Sequence, residues 1–221
     1  MLRYLFATTF VLTVVGSGPA QATIAGYSVC TGAISCDITI SPPNPVTQNP
    51  NNGILLGWDE VQNHTLVSDL RVDRVFDQTA SFVEVDPGGG FLIKAGTIVS
   101  SHYFQWDPGN GSSATVNATI DFDSEIFAFI TADQKLFDSD DALALPGTDY
   151  NDFTLRGLES GDTTNFNGTS VEISWRAGSP GDWTRLITAF SPTAAIPEPA
   201  PIAVLGIGLI GLSLRYRHKR S

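Results

Sequence analysis

The sequence predicts a mainly β protein whose central part, residues 23–190, folds as an antiparallel β-sandwich of jelly-roll or immunoglobulin-like type. Apolar residues recur there with a period of two or in short runs, and Gly, Pro, Asn and Asp turn signals separate these stretches at regular spacing. Helical periodicity is almost absent from this part of the sequence. No internal repeat is apparent, which disfavours solenoid and propeller folds.

The strand candidates differ in how their apolar residues are arranged. Residues 114–122 alternate apolar and polar, as in a strand with one buried face, whereas 126–131 are almost entirely apolar, as in a central strand. The glycine-rich turn 86–90 lies between two short apolar stretches and predicts a hairpin. The predicted strands are 34–40, 54–58, 65–76, 81–85, 91–94, 97–106, 114–122, 126–131, 150–158, 171–176 and 183–190.

Two segments depart from the strand pattern. Residues 41–53 hold four prolines and four asparagines, which exclude regular structure. Residues 133–145 are rich in Asp, Leu and Ala, and Pro146 with Gly147 ends them. This second segment is interpreted as either a short helix or a long acidic loop.

The net charge of the central part limits the classes of molecule that the protein can bind. Residues 23–196 hold seven basic and twenty-two acidic side chains, a formal charge of −15. Such a surface repels nucleic acid and anionic lipid and favours solubility and cations, so we expect no nucleic-acid partner. Aspartate dominates the acidic residues, which suits turns, loops and binding of hard cations.

The two cysteines indicate an oxidising compartment. Cys30 and Cys36 lie in the sequence CTGAISC, in which Gly32 can turn the chain. A metal site would need two further ligands, and none lies nearby in the sequence. We therefore predict a disulfide that fixes the N-terminal segment, with a pair of free thiols as the alternative.

The N-terminus has the pattern of a signal peptide over residues 1–22. Arg3 supplies the positive charge, residues 4–15 are apolar, and Ala20 and Ala22 form a small-x-small cleavage site. We expect export through the Sec translocon and cleavage by signal peptidase after Ala22. An uncleaved N-terminal anchor is the alternative.

The C-terminus consists of three unlike pieces after a small-residue linker at 191–196. Pro197-Glu198-Pro199 is rigid, residues 200–214 are apolar and uncharged, and a basic tip occupies 215–220. A helix over 200–214 would be about 22 Å long against about 30 Å of hydrocarbon, so the span is short. The positive-inside rule places the tip in the cytoplasm through the basic residues Arg215, Arg217, Lys219 and Arg220.

The order Pro-Glu-Pro, short apolar helix, basic end resembles the PEP-CTERM sorting signal of Gram-negative bacteria that make extracellular polysaccharide. The resemblance covers residues 196–220. It implies that Pro197, Glu198 and Pro199 are recognised by an inner-membrane exosortase, which cuts nearby and passes the protein to the cell surface or the extracellular matrix. A permanent C-terminal anchor behind a proline hinge is the alternative.

The central part has no motif of a known catalytic centre. Nucleophile-elbow, zinc-helix and phosphate-loop patterns are absent from the sequence. His102 is interpreted as a hydrogen-bonded strand histidine rather than a base. Carboxylates such as Asp121, Asp123 and Glu125 leave a glycoside hydrolase as an alternative, but spacing in sequence does not reveal a paired-carboxylate cleft. We expect no enzyme activity.

The acidic segment is a candidate Ca²⁺ site, with a solvated acidic loop as the alternative. Several carboxylates in one loop can supply oxygen ligands, although the spacing is not that of an EF-hand. The candidate ligands are Asp138, Asp140, Asp141 and Asp149. No other cofactor is expected.

These observations predict an exported, non-enzymatic surface or matrix protein associated with exopolysaccharide or biofilm. A calcium-dependent carbohydrate-binding module is the alternative. The four tryptophans would stack on sugar rings if they lined an exposed sheet face, and would otherwise pack in the core.

Overall fold

The computed structural model describes residues 23–109, 113–151, 154–178 and 180–189. Over these residues the chain is mainly β, as predicted, with one short helix. In chain order the elements are β1 (Ile24–Thr31), β2 (Ser35–Ile38), β3 (Ile54–Asp59), β4 (His64–Thr65), β5 (Leu70–Val72), β6 (Arg74–Val75), β7 (Val83–Val85), β8 (Phe91–Ile93), β9 (Ile98–Trp106), β10 (Ala114–Phe122), β11 (Ile126–Ile130), α1 (Asp133–Leu143), β12 (Thr163–Asn167), β13 (Ser170–Ala177) and β14 (Asp182–Thr188).

The described strands form three sheets. A four-stranded sheet has the order β1-β10-β13-β12, and a three-stranded sheet has the order β5-β8-β7. The central sheet has the order β2-β3-β9-β14-β11-β6, with β4 paired to β9. Every pair is antiparallel except β2 with β3.

The central sheet is covered on both faces. One apolar cluster joins its Phe104, Phe129 and Leu186 to residues of the four-stranded sheet such as Ile120 and Trp175. A second cluster lies on the opposite face and contains side chains from α1 and the three-stranded sheet. Strands β9 and β14 are consequently buried along almost their whole length. The sandwich prediction is thus confirmed for antiparallel sheets packed face to face, and the structure adds a third layer; the jelly-roll or immunoglobulin-like type stays a prediction.

Local sequence explains the best predicted elements. In β10 the side chains of Val116, Ala118 and Ile120 are buried, while the polar residues between them are exposed or half-buried. The hairpin predicted around residues 86–90 is the antiparallel pair β7–β8. In α1 the buried residues Leu136, Ser139 and Leu143 recur at helical spacing, which decides the ambiguity at 133–145 in favour of a helix.

Two strand predictions were wrong. Residues 65–76 change partner twice, because β4 pairs with β9, β5 with β8 and β6 with β11, so they form three short strands. The described part of 150–158 contains no strand. Its backbone has positive φ at Asn151 and Leu155, a conformation that a β-strand excludes.

The predicted disulfide is present between Cys30 and Cys36, whose Cα atoms are 6.0 Å apart. Cys30 belongs to β1 at the edge of the four-stranded sheet, and Cys36 belongs to β2 at the edge of the central sheet. The bond therefore links the two sheets at this edge.

Both chain ends lie outside the described residues, including the predicted signal peptide at 1–22, the linker at 191–196 and the sorting signal at 197–220. Within the described ranges no helix has the length and apolarity that a membrane crossing requires.

Candidate functional site

The acidic residues predicted as Ca²⁺ ligands do not gather at one point. Asp140 and Asp141 on α1 and Asp149 in the following loop line an open depression of about 440 Å³. Asp138 instead lines a second depression, with Arg71 and Lys135. Three of the four predicted ligands thus share one depression, and the fourth accepts a hydrogen bond from Gln134.

Asp140 is already neutralised by two arginines at the base of this depression. Arg156 donates to both carboxylate oxygens, Nη1 to Oδ2 at 2.8 Å and Nη2 to Oδ1 at 3.1 Å. Arg185 donates to Oδ1 at 3.0 Å. A cation at Asp140 would therefore have to compete with two guanidinium groups.

Asp140 belongs to a group of charged side chains that we call the buried ion network. The network consists of Glu60, Asp140, Arg156 and Arg185. The Arg185 guanidinium binds Glu60 through two hydrogen bonds of 2.7 Å, in the fork geometry that makes such pairs strong. Neither side chain of that pair is exposed to solvent. Burial opposes the charge of Arg185, but Glu60 and Asp140 outweigh it and raise the pKa of Arg185 above its ordinary value.

The buried ion network connects α1 to the central sheet. Arg185 belongs to β14, and its Nη1 donates to the Leu136 carbonyl and the Ser139 hydroxyl of α1. Glu60 directly follows β3 and accepts a hydrogen bond from the hydroxyl of Ser101 on β9. Buried polar groups of α1 are thus bound by Arg185 of the central sheet, which meets the requirement that buried polar groups be hydrogen-bonded.

Aromatic rings pack against the arginines of the buried ion network. The Arg185 guanidinium lies 5.2 Å from the ring centroid of Tyr103, whose hydroxyl accepts a hydrogen bond from Arg156. Trp58 Nε1 donates to the Tyr150 hydroxyl at 2.8 Å. Burial raises the pKa of both Tyr103 and Tyr150. We infer that the network stabilises the packing of the residues beneath the depression.

The helix that carries the acidic residues is fixed at its N-terminus by Asp73. Asp73 Oδ2 accepts hydrogen bonds from the amides of Thr131 and Ala132 at 2.7 and 2.9 Å, and Lys135 lies 2.9 Å from its Oδ1. Ala132 is the N-cap residue and has no side chain that could cap the helix. Asp73, which lies between β5 and β6, therefore supplies the carboxylate that the helix N-terminus favours.

We expect the Asp73→Asn variant to be less stable than the parent at pH 7 and to approach it in acid. Burial alone would raise the pKa of Asp73, but the bonds from Lys135, Thr131 and Ala132 hold it below the ordinary value of 3.8. A lowered folded-state pKa contributes stability that is fully present above about pH 4 and is lost as the pH falls through the folded-state pKa. Melting temperatures at pH 7, 4 and 3 measure this, with Asp138→Asn as the control. A difference in melting temperature between the parent and Asp73→Asn that stayed constant down to pH 3 would contradict this prediction.

His102 is a buried strand histidine with both ring nitrogens engaged. Nδ1 lies 2.7 Å from Asp59 Oδ1, and Nε2 lies 3.0 Å from the Thr188 hydroxyl. The order of groups resembles a catalytic triad, but Thr188 and His102 are both fully buried within the central sheet. The Asp59–His102–Thr188 chain therefore serves to cross-link neighbouring strands.

The other predicted candidates serve the fold. Asp121 accepts a hydrogen bond from the hydroxyl of Ser170, and Asp123 accepts one from the Thr23 amide. The four tryptophans are at most 1% exposed, so they pack in the core and offer no surface for sugar rings. They are Trp58, Trp106, Trp175 and Trp183.

Sequence reasoning missed Glu60, Arg156 and Arg185. The partners of Arg185 are distant in sequence, Glu60 by 125 positions and Asp140 by 45. One signal was present: Arg185 interrupts the strand sequence DWTRLIT, and an arginine within a central strand needs a buried acidic partner.

Comparison with known protein families matches residues 195–219 to the PEP-CTERM protein-sorting motif. The match confirms the resemblance drawn from the tail and includes Pro197, Glu198 and Pro199. Neither the curated proteins nor the solved structures contain a match to this chain. The motif marks an exported protein that passes through a membrane-associated intermediate and is processed by an exosortase.

Proposed function

We propose that this chain is a surface or extracellular-matrix protein of a Gram-negative bacterium, released through its sorting motif, associated with exopolysaccharide and without catalytic activity of its own. The observation that carries the proposal is the sorting motif at residues 195–219. A signal-peptide pattern at the opposite end supports it, since the two signals are compatible with one export route.

The route uses both ends of the chain in turn. The Sec translocon exports the protein, and signal peptidase cleaves after Ala22. The apolar residues 200–214 then hold the C-terminus in the inner membrane, with Arg215 and the other basic residues on the cytoplasmic side. Exosortase cuts near Glu198, and the short span favours this temporary role over permanent anchoring.

The central part has properties that suit a matrix component. Its formal charge of −15 over residues 23–196 keeps it soluble and repels anionic lipid. A disulfide and a doubly covered central sheet stabilise it in an oxidising exterior. Asp141 and Asp149 line an open depression that a ligand can reach from solvent.

Replacing Glu198 with alanine is expected to leave full-length protein in the membrane fraction. Glu198 is the charged residue between two prolines and is the feature of the motif that a peptidase can read by charge. Fractionation of the native host and the intact mass of the released protein measure the effect. Glu172→Ala, a change at an exposed position of β13, is the matched control and should be released normally. Release of the Glu198→Ala protein at the parental level would refute the recognition role.

Calcium-dependent carbohydrate binding is the second candidate function. It is favoured by the open depression that Asp141 and Asp149 line, although Asp140 is held by arginines there. Binding of the purified protein to the host's exopolysaccharide with and without Ca²⁺ separates the two candidates. Binding only in the presence of Ca²⁺ supports the carbohydrate-binding module. Binding that is equal with and without Ca²⁺ supports the matrix protein.

A further inference from the structure

Three carboxylates outside the predicted acidic segment converge at the border between two sheets. One oxygen each from Glu159, Asp162 and Asp182 lies within 4.8 Å of the other two. Glu159 and Asp162 belong to the turn before β12, and Asp182 is the first residue of β14. The group therefore combines a turn at the four-stranded sheet with a strand of the central sheet.

Asp182 is the unusual member of this group. It has no solvent exposure, and neither of its carboxylate oxygens accepts a hydrogen bond from an N–H or hydroxyl donor among the described residues; its hydrogen-bonding neighbour is a second carboxyl group, that of Glu159. An ionised carboxylate buried beside another carboxylate is costly, because it loses its hydration and gains no positive partner. Burial, followed by the neighbouring Glu159, raises the pKa of Asp182 to about 9.

The carboxylate of Asp162 is fixed in place by backbone amides. Asp162 accepts hydrogen bonds from the amide of Arg176 at 2.6 Å and from the amide of Glu159 at 3.0 Å. These bonds hold the turn against β13, yet each carboxylate oxygen keeps a free lone pair. Glu159 is exposed and Asp162 is half-buried, so the group meets solvent on the side of these two residues.

We propose that Glu159, Asp162 and Asp182 form a binding site for Ca²⁺. Ca²⁺ binds oxygens at about 2.3–2.6 Å in flexible geometry, so oxygens around one ion lie up to about 5 Å apart, which the observed separation satisfies. Mg²⁺ demands shorter bonds and octahedral geometry, and loop-borne ligands of this kind suit it less. The ion supplies Asp182 with the positive partner that its surroundings lack.

The bound ion joins the two sheets at a second point besides the disulfide. It links the turn held on β13 to the start of β14. Calcium outside the cell would therefore complete the packing of the protein after export. This site is distinct from Asp138, Asp140, Asp141 and Asp149.

The test titrates CaCl₂ into the protein purified from cells that express the full-length chain, after removal of metal with EDTA. For a protein of this size, Ca²⁺ at a hundred times its Kd is expected to raise the Tm by about 5–10 °C, and calorimetry should give one ion per chain. The Asp182→Asn variant should lose this shift, and the Glu159→Gln variant should bind Ca²⁺ at least about tenfold more weakly. Asp141→Asn should keep the shift.

Two outcomes would overturn the proposal. An unchanged parental Tm at about 10 mM Ca²⁺, above the range in which extracellular sites bind, would show that the three carboxylates do not bind Ca²⁺. A full Ca²⁺ shift in Asp182→Asn and Glu159→Gln would place the ion elsewhere. If Asp182→Asn does not fold, Glu159→Gln decides, because Glu159 is exposed and its replacement leaves the core intact.

Discussion

The Arg185→Met variant is expected to unfold with a free energy about 3–5 kcal/mol below that of the parent. The reason is the partner left behind: Glu60 lies in the interior and would lose the two 2.7 Å hydrogen bonds from the guanidinium. Asp140 would lose one of its arginines in the same step. The cost comes mainly from the orphaned carboxylate, since methionine retains much of the apolar volume.

Urea denaturation of the two proteins measures this loss. Arg176→Met is the matched control, because Arg176 is an exposed arginine of β13 and its replacement should cost less than about 0.5 kcal/mol. A double variant, Glu60→Leu with Arg185→Met, should recover part of the loss because it removes both charges. A double variant less stable than Arg185→Met alone would argue against the orphaned charge as the cause.

The Trp175→Ala variant is expected to lose a similar amount, about 3–5 kcal/mol. Trp175 is fully buried between the four-stranded and central sheets, and its ring centroid lies 6.4 Å from that of Phe129. Its Nε1 also donates to the hydroxyl of Thr164 at 3.0 Å, so the truncation opens a cavity and leaves a buried hydroxyl without its donor.

Trp175→Phe is the graded control and should cost less, because a phenyl ring refills most of the cavity. A loss below about 1 kcal/mol for Trp175→Ala would mean that the two sheets close over the gap. Trp175 belongs to the apolar cluster on one face of the central sheet, and Arg185 packs on Tyr103 of the cluster on the other face, so their separate losses should add within about 0.5 kcal/mol. A larger deviation would show that the central sheet couples the two layers.

The strands that the sequence predicted best are those with a simple environment. Residues 114–122 have one buried and one polar face, and their alternation matches β10 residue for residue. The short run at 126–131 matches β11, which lies in the central sheet. In both cases the burial of each residue depends only on its position in the strand, so a local pattern is sufficient.

Two edge strands, β1 and β12, were missed. Most side chains of β1 and β12 are exposed or half-buried, so neither shows the alternation that marks a buried face. Their pairing depends on partners far away, β10 and β13, which local sequence does not specify. The hairpin β7–β8 was predicted, but the third layer was not, because strands of only three residues each do not indicate in which sheet they lie.

The site was harder to predict than the fold. The Ca²⁺ prediction relied on aspartates that are neighbours in sequence, but Asp140 faces inward to arginines from β14 and from a loop, while Asp138 faces another depression. The convergent carboxylates are Glu159, Asp162 and Asp182, which sequence separates by up to 23 positions. Charge pairing in a folded chain follows the topology of the sheets, which sequence spacing does not reveal.

The last described strand has a mechanical consequence for the tail. β14 ends at Thr188, a few residues before the sorting motif begins at 195, and it is flanked on both sides by β9 and β11. Any tension that the membrane or a peptidase exerts on the tail is transmitted along the chain to β14. Because β14 is hydrogen-bonded on both sides, it can leave the central sheet only when both of its ladders break.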